Sequence, residues 1–175
     1  GSQGAGHMSD MTLDLLDRWD AEGRRFHYIH GAGRDYEDME TALKAKNLSV
    51  TASEVRPYID DMPTVMAAAD LVICRAGAST LGELTALGRP AILVPSPFVA
   101  GNHQYKNAKV LCDADAAEIV EECSLDAGAL NGIVEKLLSD EGEKMRESMG
   151  ERIRAFAVPD ANKLIYRDVL SLIGR

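Results

Sequence analysis

Five short runs rich in apolar and β-branched residues recur along the chain, beginning about 20–26 residues apart: Arg25–His30, Val50–Val55, Leu71–Arg75, Ala91–Ser96 and Ala117–Val120. A stretch of helical periodicity lies between each run and the next. That interval leaves room for one crossover helix per strand, which parallel strands require. Several runs, LVICR and AILVPS among them, are apolar almost throughout instead of alternating, as expected of strands covered on both faces. The pattern predicts a doubly wound, mainly parallel α/β sheet of Rossmann-like type.

The intervening segments read as amphipathic helices. Leu13, Leu16 and Trp19 mark one stripe, Tyr36, Met39 and Leu43 a second, and Met62, Val65, Met66 and Ala69 a third. Leu81, Leu84 and Leu87 mark a fourth, closed by Gly88 and Pro90. Others cover His103–Asp113, the Leu130–Leu137 stripe, and a long stripe from Met145 through Met149 and Ile153 to Phe156, ended by Pro159. Asp160 is expected to cap a final helix whose stripe runs through Ile165, Val169 and Leu172.

Charge narrows the partners. Nineteen basic residues against 28 acidic ones give a formal net charge of −9, which argues against nucleic acid and against an anionic membrane surface as the main partner. No apolar run reaches the roughly 20 residues of a bilayer-spanning helix, and no secretory signal pattern is visible. The three cysteines, Cys74, Cys112 and Cys123, lack CxxC spacing and read as small buried residues in a reducing compartment. No metal site is expected: Asp60-Asp61 before Met62-Pro63 reads as a helix start, with no third ligand nearby in sequence.

In sheets of this kind ligands bind outside the carboxyl ends of the strands. Two such ends stand out. After LVICR the chain runs through Ala76-Gly77-Ala78-Ser79-Thr80 into a helix. A small-residue turn opening a helix exposes unpaired backbone N–H groups at the positive end of the helix dipole, an arrangement suited to phosphate even in an acidic chain. The same residues fit a capping box, Thr80-x-x-Glu83, and spacing alone does not choose between the two. The turn is neither a P-loop nor GxGxxG. After AILVPS comes Pro97-Phe98-Val99-Ala100-Gly101-Asn102-His103-Gln104, where His103 and Gln104 could hydrogen-bond a sugar; a lone loop histidine is more often a solvated residue or a cap. At the amino terminus Gly1-Ser2-Gln3-Gly4-Ala5 reads either as a glycine-rich loop whose strand lies upstream or as a cloning remnant.

Together GSQGA at Gly1, YIDDM at Tyr58–Met62, ICRAGASTLGELTALGRPAILVPSP at Ile73–Pro97, NHQYKNA at Asn102–Ala108 and PDANKL at Pro159–Leu164 resemble the carboxyl-terminal domain of the MurG family of N-acetylglucosaminyltransferases. The resemblance covers nearly the whole chain. Two departures stand out: Gly6-His7-Met8 replaces an Arg-containing pattern, and His103 stands where the family has a second Gln. The resemblance implies a GT-B enzyme of two Rossmann-like domains, of which residues 1–175 form the UDP-GlcNAc-binding one, without its first strand and without the amino-terminal acceptor domain. It implies inverting transfer of GlcNAc to lipid I, giving lipid II for peptidoglycan. The general base and the peripheral contact with the cytoplasmic face of the membrane belong to the missing domain, and no cofactor is needed. By residue, it implies that Ser2 contacts the donor near its diphosphate and Ile59 offers its backbone to uracil. Gly77, Ala78, Ser79 and Thr80 hold the diphosphate, Leu81 and Gly82 complete the turn, Glu83 accepts from the ribose hydroxyls, and Gln104 with His103 meets the sugar. Alternatives are the soluble donor subunit of a split dolichol-linked GlcNAc transferase, a non-catalytic UDP-sugar module or a UDP-sugar epimerase.

Overall fold

A computed structural model describes residues 6–23, 26–48, 53–122 and 127–174. Chain contacts fall into two compact units, Gly1–Val65 with Glu121–Lys136, and Met66–Val120 with Leu137–Arg175. All strand pairing among the described residues is parallel.

The first unit carries α1 (Gly6–Ala21), β1 (Tyr28–Gly31), a 3₁₀ turn (Gly33–Asp35), α2 (Tyr36–Ala45) and β2 (Ser53–Arg56). It also holds most of α3 (Met62–Ala68) and of α6 (Ala127–Leu138). Tyr28 pairs with Ser53 and Gly31 with Arg56. Both expected strands therefore form, each shifted toward the carboxyl end of its run; Arg25 and residues 50–52 lie outside the described residues. The predicted stripes turn inward in part: Leu16 and Trp19 on α1, Met39 and Leu43 on α2, and Leu130 and Val134 on α6 are buried, whereas Leu13 is only half-buried with Leu15 inside in its place, and of the α3 stripe Met66 alone is buried while Met62 is exposed. Several polar groups carried inside find partners, as burial demands. The Trp19 indole N–H donates to Asn131 Oδ1 at 2.8 Å, Asn131 Nδ2 donates to Glu135 Oε1 at 2.7 Å, and the Tyr28 hydroxyl donates to Thr12 Oγ1 at 2.9 Å. Asp61 begins α3 as expected, its carbonyl accepting from the N–H of Thr64 and Val65.

The second unit is built on a three-stranded sheet in the order β3 (Val72–Cys74), β4 (Ala91–Leu93), β5 (Glu118–Ile119). Val72 pairs with Ala91, Cys74 with Leu93, and Leu93 again with Ile119 on its other side. Central β4 is wholly inaccessible, which explains its unbroken apolar run, and Pro95 stops the ladder by removing a donor. Leu84 of α4 (Ala78–Leu87), Ala108 and Leu111 of α5 (His103–Cys112) and Ile153 of α7 (Glu143–Arg154) join Leu93 in one core cluster. Each such leucine or isoleucine contributes about 1.5–3 kcal/mol by burial.

Helix ends follow local chemistry. Gly88 ends α4 in the left-handed conformation at φ 63°, and the N–H of Arg89 reaches back to Leu84 O at 3.2 Å, the Schellman arrangement anticipated from Gly88 and Pro90. Three details depart from expectation. α7 ends at Arg154, so Phe156 lies in the following turn, 38% exposed, instead of in the helical stripe that Pro159 was to end. Asp160 does stand before α8 (Ala161–Leu172), but its side chain pairs with Lys163 at 2.9 Å and caps no amide. The α8 stripe forms yet buries nothing: Ile165, Val169 and Leu172 are 64%, 48% and 86% exposed. Cys74 and Cys112 are free thiols, and Cys123 lies outside the described residues.

Two outcomes follow. A Cβ added at Gly150 of α7 would stand 2.7 Å from the Gly88 carbonyl oxygen, a backbone atom that cannot swing aside. Gly150→Ala should therefore lower stability by about 1–3 kcal/mol in thermal or urea denaturation, although alanine is the better helix former; an unchanged or raised Tm would contradict this packing. His30 near the end of β1 stacks on Tyr28 with centroids 6.0 Å apart, and its buried Nε2 meets no partner among the described residues. Burial holds its pKa down to about 4, against a weaker upward pull from Asp35. The unfolded chain then binds the extra proton between pH 6.5 and 4, so this residue's contribution is lost as pH falls through that window, on the order of 3 kcal/mol in all. Denaturation of His30→Phe should show a correspondingly flatter slope over that pH range.

Candidate functional site

The carboxyl edge of the β3–β4 pair is fixed by main-chain bonds. The Val94 N–H donates to Cys74 O at 2.9 Å, and Arg75 Nη1 donates to Val94 O at 3.2 Å. The turn leaving β3 and the loop leaving β4 therefore start side by side.

From β3 the chain passes Arg75 and fully buried Ala76 to Gly77, the residue preceding α4, at φ −71° and ψ 147°. The Gly77 carbonyl accepts the Leu81 N–H at 3.0 Å, which closes the first helical turn. The N–H groups of Ala78, Ser79 and Thr80 thus have no carbonyl within the helix to meet, and among the described residues no side-chain cap replaces it. Ala78 and Ser79 are exposed, no acidic residue lies in the turn, and a Cβ placed at Gly77 or Gly82 would meet nothing within 4 Å. At an ordinary φ and in open space, Gly77 is not demanded by the fold; its missing side chain keeps the approach to these amides clear.

The capping-box alternative fails on position. The helix begins at Ala78, which puts Thr80 inside the first turn, where it cannot serve as the cap for Glu83 to answer. Glu83 is exposed and accepts no hydrogen bond from any described residue. Its carboxylate lies near enough to β3 to add to the effect of burial in pushing the Cys74 thiol up to about 12. Leu81 turns its side chain onto the core cluster, which leaves only its backbone for any ligand.

From β4 the loop is drawn to α5. Gln104 Oε1 accepts the Ser96 N–H at 3.0 Å, and the Phe98 N–H reaches Ser96 Oγ at 3.4 Å. The bond from Ser96 fixes the Gln104 amide so that its NH₂ remains as a donor. His103 is exposed; its Nδ1 donates to Ala100 O at 3.0 Å, which leaves Nε2 as the acceptor of the neutral ring. One residue that sequence reasoning passed over belongs to the same face of α5: Asn107 Nδ2 donates to Ala76 O at 3.3 Å. Its spacing of three from Gln104, inside the NHQYKNA segment, was the available signal.

Gly77–Glu83, His103 and Gln104 thus share one edge of one sheet. Ile59 belongs to the first unit, 7% exposed, with its Cδ1 3.3 Å from where a Cβ on Gly31 would stand; its side chain is committed to packing, so its main chain is what it could offer. Ser2 lies outside the described residues. A groove of about 400 Å³ beside α2 and β2 holds none of these residues, and its charged groups Glu40 and Lys44 pair with each other at 3.0 Å. Among the described residues no cluster suited to a metal ion occurs, and no helix is long and apolar enough to cross a membrane.

Comparison with known proteins identifies the family. The chain is 38% identical to the UDP-N-acetylglucosamine–N-acetylmuramyl-(pentapeptide) pyrophosphoryl-undecaprenol N-acetylglucosamine transferase of Caldicellulosiruptor saccharolyticus, over 98% of this chain and 46% of that protein. It is 39% identical to the protein of the same name from Sorangium cellulosum, over 98% and 42%. The crystal structure of Acinetobacter baumannii MurG superimposes with a TM-score of 0.79 at 27% identity, over 94% of this chain and 46% of that one. The chain therefore spans about half the length of the curated relatives it matches, and its fold is the Rossmann-like α/β fold of GT-B glycosyltransferases. Residues 1–165 match the Glycosyltransferase family 28 C-terminal domain, and the chain belongs to that family.

Proposed function

We propose that this chain binds UDP-GlcNAc as the donor-holding domain of an inverting N-acetylglucosaminyltransferase that converts lipid I to lipid II. The observation that carries the reading is the open, uncapped first turn of α4 at the carboxyl end of β3. Its amides suit the diphosphate, which gains negative charge as UDP leaves; donors already in place need no reorganisation at that moment. Glu83, whose carboxylate meets no donor among the described residues, suits the vicinal ribose hydroxyls. Gln104, fixed as a donor, suits a sugar oxygen, with His103 beside it. By the family resemblance, Ile59 is assigned main-chain contact with uracil and Ser2 contact with the donor near its diphosphate.

In this reading the acceptor hydroxyl attacks C1 of the sugar directly, and the C1–O bond to UDP breaks with inversion. The base, the lipid acceptor and the contact with the cytoplasmic face of the membrane belong to the half of the relatives' length that these residues do not match. The transferase names of those relatives favour this reading over a non-catalytic sugar-nucleotide module or a donor subunit acting on dolichol-linked acceptors.

Calorimetric titration should show UDP and UDP-GlcNAc binding to the 175-residue chain, with no turnover of lipid I by that chain alone; the absence of heat at millimolar ligand, on folded protein, would overturn the proposal. Glu83→Ala should weaken UDP binding by about 1–3 kcal/mol, the range for a hydrogen bond to a charged group. Because Glu83 is exposed and supports no described contact, Tm should not fall. Unchanged affinity would remove Glu83 from the site.

A further inference from the structure

Beyond the ligand contacts proposed above, Asn107 holds a place that none of them uses. Ala76 is fully buried and stands two residues past the last residue of β3, so its carbonyl has left the sheet ladder. A buried carbonyl without a partner is costly, and here the partner is the Asn107 side-chain amide at 3.3 Å. A carbonyl can only accept, which settles that Asn107 presents its NH₂ to Ala76. The peptide unit joining Ala76 to Gly77 is planar and trans, so its C=O and N–H point in opposite directions. Fixing the carbonyl toward α5 therefore fixes the direction of the Gly77 N–H, which meets no acceptor among the described residues. That N–H is the first of the run that continues through Ala78, Ser79 and Thr80. On the same face of α5, one turn earlier, Gln104 holds the Ser96 N–H of the neighbouring loop at 3.0 Å. A single helix thus braces both loops at this edge.

We propose that Asn107 is a positioning residue for the donor diphosphate: without touching the ligand, it orients the Ala76–Gly77 peptide so that the amides opening α4 face one anion. The inference rests on the diphosphate reading above. It also makes a distinction that a merely structural asparagine would not, because only the part of the ligand held by those amides should feel the change.

The test compares UDP with uridine, by NMR titration of the 175-residue chain and of two variants. Asn107→Ala removes the donor; Asn107→Leu removes it while keeping the volume. In both, UDP affinity should fall about tenfold, as for loss of one hydrogen bond to a buried group, while uridine affinity stays constant. The Gly77 and Ala78 amide resonances should already move in the ligand-free variants, before any ligand contact can be invoked. Parallel losses for UDP and uridine, no loss for either, or unmoved Gly77 and Ala78 resonances would each overturn the positioning role. If the unaltered chain binds UDP no more tightly than uridine, the diphosphate reading itself fails, and this inference with it. Should Asn107→Ala not fold, Asn107→Leu carries the same comparison.

Discussion

Everything at the candidate site depends on the parallel pairing of β3 with β4. Two parallel neighbours end at the same edge, so the turn after Cys74 and the loop after Leu93 emerge together, bound by the Val94–Cys74 and Arg75–Val94 hydrogen bonds. Central β4 is apolar and inaccessible, and chemistry is pushed to that edge. What it gathers there is mostly main chain. Amides at the start of α4 supply positive potential locally, which is how a chain of net charge −9 can offer an anion site without a basic patch.

The division of labour between side chains and backbone is consistent across the edge. Ala76, Leu81 and Leu84 are committed to the core, and small or absent side chains at Gly77, Ala78 and Gly82 leave the amides open. The longer polar side chains on α5 tie down loops instead of filling the space above them. Such bracing is what a preorganised site needs, because a donor that must be oriented during the reaction loses much of its effect.

Much of this was legible in the sequence because its cause was local. The spacing of the apolar runs gave five strands, and the unbroken runs at Leu71–Arg75 and Ala91–Ser96 gave the parallel, two-faced burial seen at β4. Gly88 before Pro90 marked the end of α4, since a left-handed residue is cheap only for glycine. What escaped was set by contacts distant in sequence or by competition between local choices. The Thr80–Glu83 spacing fits a capping box, yet the helix starts at Ala78, so the pattern falls one turn too deep. Asp160 has the right residue type for a cap, but Lys163 takes its carboxylate. For Asn107 the spacing from Gln104 marked a shared helix face, but not a role, because its partner Ala76 lies 31 positions away. The α8 stripe of Ile165, Val169 and Leu172 has the periodicity of a buried face while none of it is buried, a reminder that periodicity reports a face and not what covers it.

The central claim is that the amides from Gly77 to Thr80 hold a diphosphate. The most direct measurement is a ¹H–¹⁵N NMR titration of the unaltered chain with inorganic pyrophosphate, which has neither base nor sugar. The account predicts that the amide resonances of Ala78, Ser79 and Thr80 shift progressively and saturate, ahead of those elsewhere in the chain. Saturating shifts confined to other segments, with these three amides unmoved, would contradict it.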